Sequence, residues 1–320
     1  MTILELAAAN LLSPMVLFFV LGLTAALARS DLAFPEAAAK AMALYLMMAI
    51  GFKGGASVAD AGPSMSLATA VLAGLALSAL IPIIAFNILR RTSSLGRIDA
   101  AAVAAHYGSI SIVTFLAATE ALKSAGITYE GHLVAVAAAM EAPAIVSALW
   151  LARGGTKGLA SGSLRDILLS GSIVLLTGSF LIGAMSGKQG LEAIAPFIVD
   201  PFKGVLCLFL LDMGVIAGRG LREGRRNLTI SLILFGIYMP LIGATIGLVT
   251  AKLIGLSLGG TALLATLAAS ASYIAVPAAM RIALPEAKPS IYLPLSLGVT
   301  FPFNLAVGIP CYIALAILTT

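Results

Sequence analysis

Long apolar stretches broken by short polar ones set the rhythm of this chain. Ten apolar runs of about 20 residues, the length that crosses a bilayer as a helix, are centred near residues 21, 43, 78, 110, 140, 176, 207, 240, 271 and 305. With loops of about 10 residues they use the whole chain and leave no room for a soluble domain. Two runs carry polar residues at their centres: AHYGSISIVTF at 105–115 and AASASYIAVPAA at 268–279. The pattern predicts an all-α membrane protein of ten transmembrane helices, two of them, the fourth and the ninth, broken.

Composition agrees. The 320 residues are 60% hydrophobic and 10% charged, against roughly 25% charged in a soluble domain, and the mean hydropathy is +1.08. Cys207 and Cys311 fall inside spans, where packing explains them better than a disulfide or a metal site. The first span ends TAALARS, faintly like a signal-peptide cleavage site. Its start holds Glu5 and no Lys or Arg, so it reads as a permanent span.

Charge gives the orientation. The loops after spans 1, 3, 5, 7 and 9 collect Arg29; Arg90, Arg91 and Arg97; Arg153 and Arg165; Arg219, Arg222, Arg225 and Arg226; and Arg281, every arginine in the chain. Cytoplasmic loops are the basic ones. The expected location is the cell's inner (plasma) membrane, multi-pass, with both termini on the non-cytoplasmic side. The net charge of +5 then reflects topology and not nucleic-acid binding.

The two halves, 1–155 and 156–320, echo each other. FPEAAAKAMALYLMMAIGFKGG (34–55) aligns with FIVDPFKGVLCLFLLDMGVIAG (197–218), pairing Phe34 with Phe197, Lys40 with Lys203, Gly51 with Gly214 and Gly55 with Gly218. GSISIVTFLAA (108–118) aligns with ASASYIAVPAA (269–279), pairing Ser109 with Ser270 and Ser111 with Ser272. Five spans per half is odd, so the second copy enters the membrane inverted, an architecture of secondary transporters.

The polar centres have a chemistry. Any break of a helix in lipid leaves backbone groups that need partners in protein or in a water-lined cavity. Pro277 lacks an amide hydrogen and suits the first turn of a restarted helix at that residue. Gly108 permits the matching break, with Ser109 or Ser111 as N-cap. Half-helix N-termini present free amides and partial positive charge, an anion site; the opposing carbonyls and hydroxyls suit a small hard cation such as sodium. Close helix packing, which uses Ser and Gly freely, is the competing explanation.

Glu141, mid-span in MEAPA, is a candidate for binding a cation or a proton. Asp212 and Asn304 are weaker cases of the same kind, and His106 beside the first break reads as a hydrogen-bonded structural histidine or a titrating one. Gly51–Gly55, Gly214–Gly218 and Gly243–Gly247 read as close-packing pairs, and Lys40 and Lys203 as side chains that snorkel to the interface. GLSLG at 255–259 matches a serine-hydrolase pattern, but no strand precedes it. NLT at 227–229 would be glycosylated only if exported, and the arginines place it inside.

The same stretches carry a resemblance. AHYGSISIVTF, ITYEGHL and SASYIAVPAAMRIALPEAKPSIYLPLSLGVTFPFNLAVGIP are similar to the sodium-dependent bicarbonate transporter family first known from cyanobacteria, over about residues 10 to 318. The resemblance implies a gate domain from spans 1, 2, 6 and 7, a core domain from spans 3–5 and 8–10, a homotrimer, and an elevator mechanism in which sodium drives bicarbonate inward. It implies an anion site at Gly108, Ser109, Ile110, Ser111, Ala269, Ser270, Ala271 and Ser272, and cation-binding candidates at Thr114, Glu141, Tyr273 and Asn304. Its partners are bicarbonate, sodium as coupling ion, lipid and a PII-like cytoplasmic regulator; no organic cofactor and no transition metal are expected.

Three features depart from the family pattern. Tyr273 stands where the cyanobacterial pattern has Asp, and Ala275 where it has Ser. Ile112-Val113 replace Gly-Ser at the first break, and the loop between the fifth and sixth spans is cut to RGGTKGLASGSLR. Two other readings stay open: a sodium–proton or proton-coupled exchanger of related architecture, and a non-transporting membrane sensor or anchor subunit. No metal-ligand cluster or nucleophile–base pair points to an enzyme.

Overall fold

A computed structural model describes residues 11–61, 65–154, 169, 171–224 and 228–319. No strand occurs among the described residues. The helices are α1 (Pro14–Leu27), α2 (Glu36–Ala61), α3 (Met65–Thr92), α4 (Arg97–Gly108), α5 (Ile112–Ser124), α6 (Leu133–Ala139) and α7 (Ala142–Arg153). The second half continues with α8 (Gly171–Ile198), α9 (Phe202–Gly224), α10 (Ile230–Leu253), α11 (Leu258–Ala269) and α12 (Ala275–Ala283). The last, α13 (Pro289–Leu318), widens to π-helix over Ser296–Thr300 and Asn304–Gly308.

Among the described residues, seven helical stretches are long and apolar enough to cross a membrane, and α1 and α11 are shorter apolar helices. Large apolar side chains stand exposed along the outside, Leu21 on α1, Leu181 and Met185 on α8 and Leu208 on α9 among them. A surface of that kind is stable only in lipid. Hydroxyl residues start several helices where an apolar run begins: Ser13 accepts from the Val16 amide, Thr229 from Leu232, and Ser257 from Gly260. These caps satisfy donors that a helix cannot pair internally. Gly154, at φ 76°, closes α7.

Two groups of helices surround the polar residues. In one, α1 lies along α9 and α2 along α8; in the other, α3 and α7 pack on α4, and α10 and α13 on α11. The glycine pairs behave as close-packing residues do. Gly214 faces the Phe19 carbonyl and Gly22, Gly55 faces the Phe180 carbonyl, and Gly243 and Gly247 face α11. A Cβ at any of these would meet backbone, so only glycine lets the helices approach this closely. Within the second group, residues 100–108 of α4 and 259–269 of α11 are all buried.

Polar contacts tie the groups together. Lys203, expected to snorkel, instead reaches from α9 to Glu120 on α5 at 2.8 Å, and Lys123 holds the same carboxylate at 3.0 Å. The Glu120 side chain is 2% exposed while that of Lys203 is 69% exposed. Two cations on one buried carboxylate satisfy the rule that interior charges are paired.

Arginine and lysine separate along the helices. α9 carries Lys203 in its first turn and Arg219 and Arg222 near its end, and the span 97–124 opens with Arg97 and closes on Lys123. Arg165, Arg225 and Arg226, most of the shortened loop, and Asn227 of the NLT motif lie outside the described residues. Cys207 and Cys311 are free thiols.

Candidate functional site

Helix α4 ends at Gly108, and Ser109 and Ser111 are extended before α5 begins at Ile112. Ser111 is the N-cap, its hydroxyl accepting from the Thr114 amide at 3.2 Å. Gly108 has no left-handed backbone. Glycine is needed there for space, because a Cβ would run into the Pro82 ring and the Ser78 carbonyl. The close approach of α3 thus explains a residue that the sequence pattern assigned to backbone freedom.

The second interruption runs from Ser270 to Ile274, and α12 restarts at Ala275. The restart falls two residues before Pro277, which therefore sits in the first turn and not at its first position. The shift costs no hydrogen bond, since the first four helical amides lack intrahelical partners anyway. The Ser272 hydroxyl accepts from the Val276 amide at 3.4 Å.

The two interruptions touch. The Ser111 amide donates to the Ser270 hydroxyl at 2.9 Å, and the Ser272 amide donates to the His106 carbonyl at 2.7 Å. Each interruption therefore supplies a partner for a backbone group that the other leaves unpaired. Ser270 passes its own hydrogen to the Leu267 carbonyl at 2.8 Å. Asn304, in the π-helical part of α13, donates to the Ala269 carbonyl at 2.9 Å and accepts from the Tyr312 hydroxyl at 2.8 Å. Its amide caps the end of α11, a positioning role that only the fold reveals.

A set of buried polar atoms around this contact has no hydrogen-bond partner: Ser109 Oγ, Thr114 Oγ1, Tyr273 OH, Glu141 Oε2 and His106 Nε2. Such atoms are rare in folded proteins and call for explanation. Tyr273 stacks edge-on against Phe301 at 5.1 Å, and its hydroxyl lies toward Ser111. His106 Nδ1 lies 2.6 Å from the Ala102 carbonyl. A carbonyl only accepts, so Nδ1 carries the proton and the imidazole is held structurally; its ring also lies 4.5 Å from Tyr292.

Glu141 stands at a third irregularity, between α6 and α7. Ser78 stitches it, donating to the Met140 carbonyl at 2.6 Å and accepting from the Ala144 amide at 3.1 Å. Ser78 also touches Gly108, so this kink and the first interruption share a neighbour. The candidates Gly108, Ser109, Ile110, Ser111, Thr114, Ala269, Ser270, Ala271, Ser272 and Tyr273 come together here. Asp212, by contrast, is buried on α9 with Oδ2 unpartnered.

Ser257 of GLSLG caps α11 and donates to Glu130 at 2.9 Å, a structural task. No group of three metal-ligating side chains occurs among the described residues.

Residues 14–317 match the Na+-dependent bicarbonate transporter superfamily. No curated protein matches the chain. The match covers nearly the whole sequence, and the chain belongs to that superfamily.

Proposed function

We propose that this member of the superfamily imports bicarbonate, or another small anion of that class, by coupling it to sodium. The observation that carries the reading is the contact of the two interruptions, Ser111 amide to Ser270 hydroxyl and Ser272 amide to His106 carbonyl, ringed by unpartnered hydroxyls. The N-terminal ends of α5 and α12 offer amides and positive dipole to an anion. Carbonyl ends and hydroxyl oxygens are what broken-helix transporters give to sodium. Ser109, Ser111, Ser270 and Ser272 with the backbone of Gly108, Ile110, Ala269 and Ala271 are the anion side; Thr114, Glu141 and Tyr273 are the cation candidates, with Asn304 holding α11 in place.

The helix contacts support ten spans read as an inverted repeat. α1 on α9 and α2 on α8 exchange under the repeat, as do α3 on α4 and α10 on α11. Adding 161 to Pro82 and Gly108 gives 243 and 269, and Gly243 meets Ala269 as Pro82 meets Gly108. On this reading α1, α2, α8 and α9 form the gate domain and the remaining helices the core, which slides as an elevator. A homotrimer in the inner membrane, termini outside, with a PII-like regulator on the arginine side, completes the proposal.

Radiolabelled bicarbonate uptake into proteoliposomes, with and without an inward sodium gradient, tests it. Uptake should require the gradient, and Glu141→Gln should raise the sodium concentration for half-maximal uptake by about tenfold, the scale of one lost charge-assisted contact. Electroneutral proton exchange indifferent to any anion would replace this reading with the exchanger.

A further inference from the structure

A cavity of about 260 Å³ lies between α2, α5 and the segment joining α5 to α6. Its walls include Lys53, Ser57, Thr119, Lys123, Tyr129 and, at depth, Phe115. Its polar side chains carry ammonium and hydroxyl groups and no carboxylate, and the Thr119 hydroxyl among them donates to the Leu116 carbonyl at 2.8 Å. Phe115 is four residues beyond Ser111, a rise of about 6 Å along α5. The cavity thus borders the same half-helix that begins at the first interruption.

Its charge is lopsided. Lys53, Lys123 and Lys203 act on one another electrostatically, with Glu120 as the carboxylate among them. Three positive charges against one negative leave a surplus of two. Lys123 and Lys203 share Glu120. Lys53 forms no ion pair among the described residues, and its Nζ sits 3.9 Å from the centre of the Phe202 ring. The ring holds the ammonium in place without neutralising it. Glu130, the next acid, has both carboxylate oxygens on Ser257. Burial pushes the Tyr129 hydroxyl above its ordinary range, so it stays neutral, hydrogen-bonded to Thr119.

We infer that this cavity is a second anion site, in which Lys53 receives a small monovalent oxyanion on its way to the interruptions. It rests on the transport reading for its purpose but not for its existence. A low-dielectric cleft of one sign concentrates counter-ions and raises their encounter rate. The ammonium binds the oxyanion as a charge-assisted donor, with the Ser57 hydroxyl on the same wall, while Thr119 and Tyr129 close the cleft through their own hydrogen bonds.

Two measurements test the site. In the first, purified protein is treated with an amine-reactive imidate, with and without bicarbonate or nitrate, and labelling is read at each lysine by mass spectrometry. Lys53 should be labelled roughly tenfold more slowly when the anion is present, in wild type and in Ser111→Leu alike. Chloride-matched ionic strength controls for screening. Labelling of Lys53 that is blind to the anion, or a Lys53 that no reagent reaches, overturns the site.

In the second, Lys53→Gln should raise the KM for bicarbonate roughly tenfold with little change in maximal rate, Lys53→Arg should restore most of it, and sodium dependence should not move. A Lys53→Gln protein with wild-type KM also overturns the inference. If wild-type vesicles take up no bicarbonate while Lys53 is still protected, the transport reading fails and the anion site stands.

Discussion

The first interruption is three residues long and the second five, and each sets a serine hydroxyl against an amide of the helix that follows it. At the first, Ser111 caps the helix it precedes and α5 then runs 13 residues. At the second, Ile274 offers no side-chain cap, α12 runs only 9 residues, and Asn304 arrives from 35 positions away to hold the Ala269 carbonyl. If the halves are an inverted repeat, as proposed, the chemistry at its two centres has diverged. A pseudo-twofold scaffold needs backbone to lie in equivalent places. It does not need the two sides to perform the same task, and a site for two unlike ions gains from their difference.

The strongest way to break this comparison is to fill each side in turn. Ser111→Leu removes the cap of α5 and places a branched side chain on the anion side; Ser272→Leu does the equivalent at α12. Each should reduce bicarbonate uptake by about 100-fold or more while size-exclusion profiles stay those of the folded protein. Equal, unaltered uptake in both would remove the site from these residues.

A milder cut is Ser270→Ala, which strips the acceptor from the buried Ser111 amide. Leaving that donor unpaired should cost about 1–3 kcal/mol, read as a lower midpoint of thermal unfolding in detergent. Ser109→Ala, whose hydroxyl has no protein partner, should leave that midpoint unchanged; two equal shifts would mean that Ser270 does not bridge the halves.

The smallest expected effect is at Tyr273. Tyr273→Phe keeps the ring against Phe301 and deletes only the unpartnered hydroxyl. If that oxygen faces the cation, the sodium concentration for half-maximal uptake rises by about 3- to 10-fold at unchanged stability. No change assigns Tyr273 to packing and leaves the serines as what the second interruption contributes.

Much of this architecture was legible before any coordinates. Among the described residues seven helical stretches are long and apolar enough to span, because in lipid the backbone must bond to itself and hydropathy reports that directly. The interruptions were legible too, since Gly, Ser and Pro inside an apolar run have few other uses. Sequence reasoning went astray where the cause lies in another helix. Gly108 answers to Pro82 and Asn304 to Ala269. The restart at Ala275 could not be read from Pro277, because proline is tolerated throughout a first turn. Lys203 looked like a snorkelling residue for want of any sign that Glu120 was near.

That last pair has a mechanical meaning. Glu120 and Lys123 ride on the same half-helix, whereas Lys203 belongs to α9. If the core slides by even one helical turn, about 5.4 Å, the 2.8 Å bridge has to part, yet the buried carboxylate departs with Lys123 still attached. Only the solvent-facing partner is left behind, and the carboxylate keeps one of its two cations. On the proposed elevator reading the pair would be a catch between a fixed and a travelling part, one that added electrolyte should loosen and that never strands a bare charge in oil.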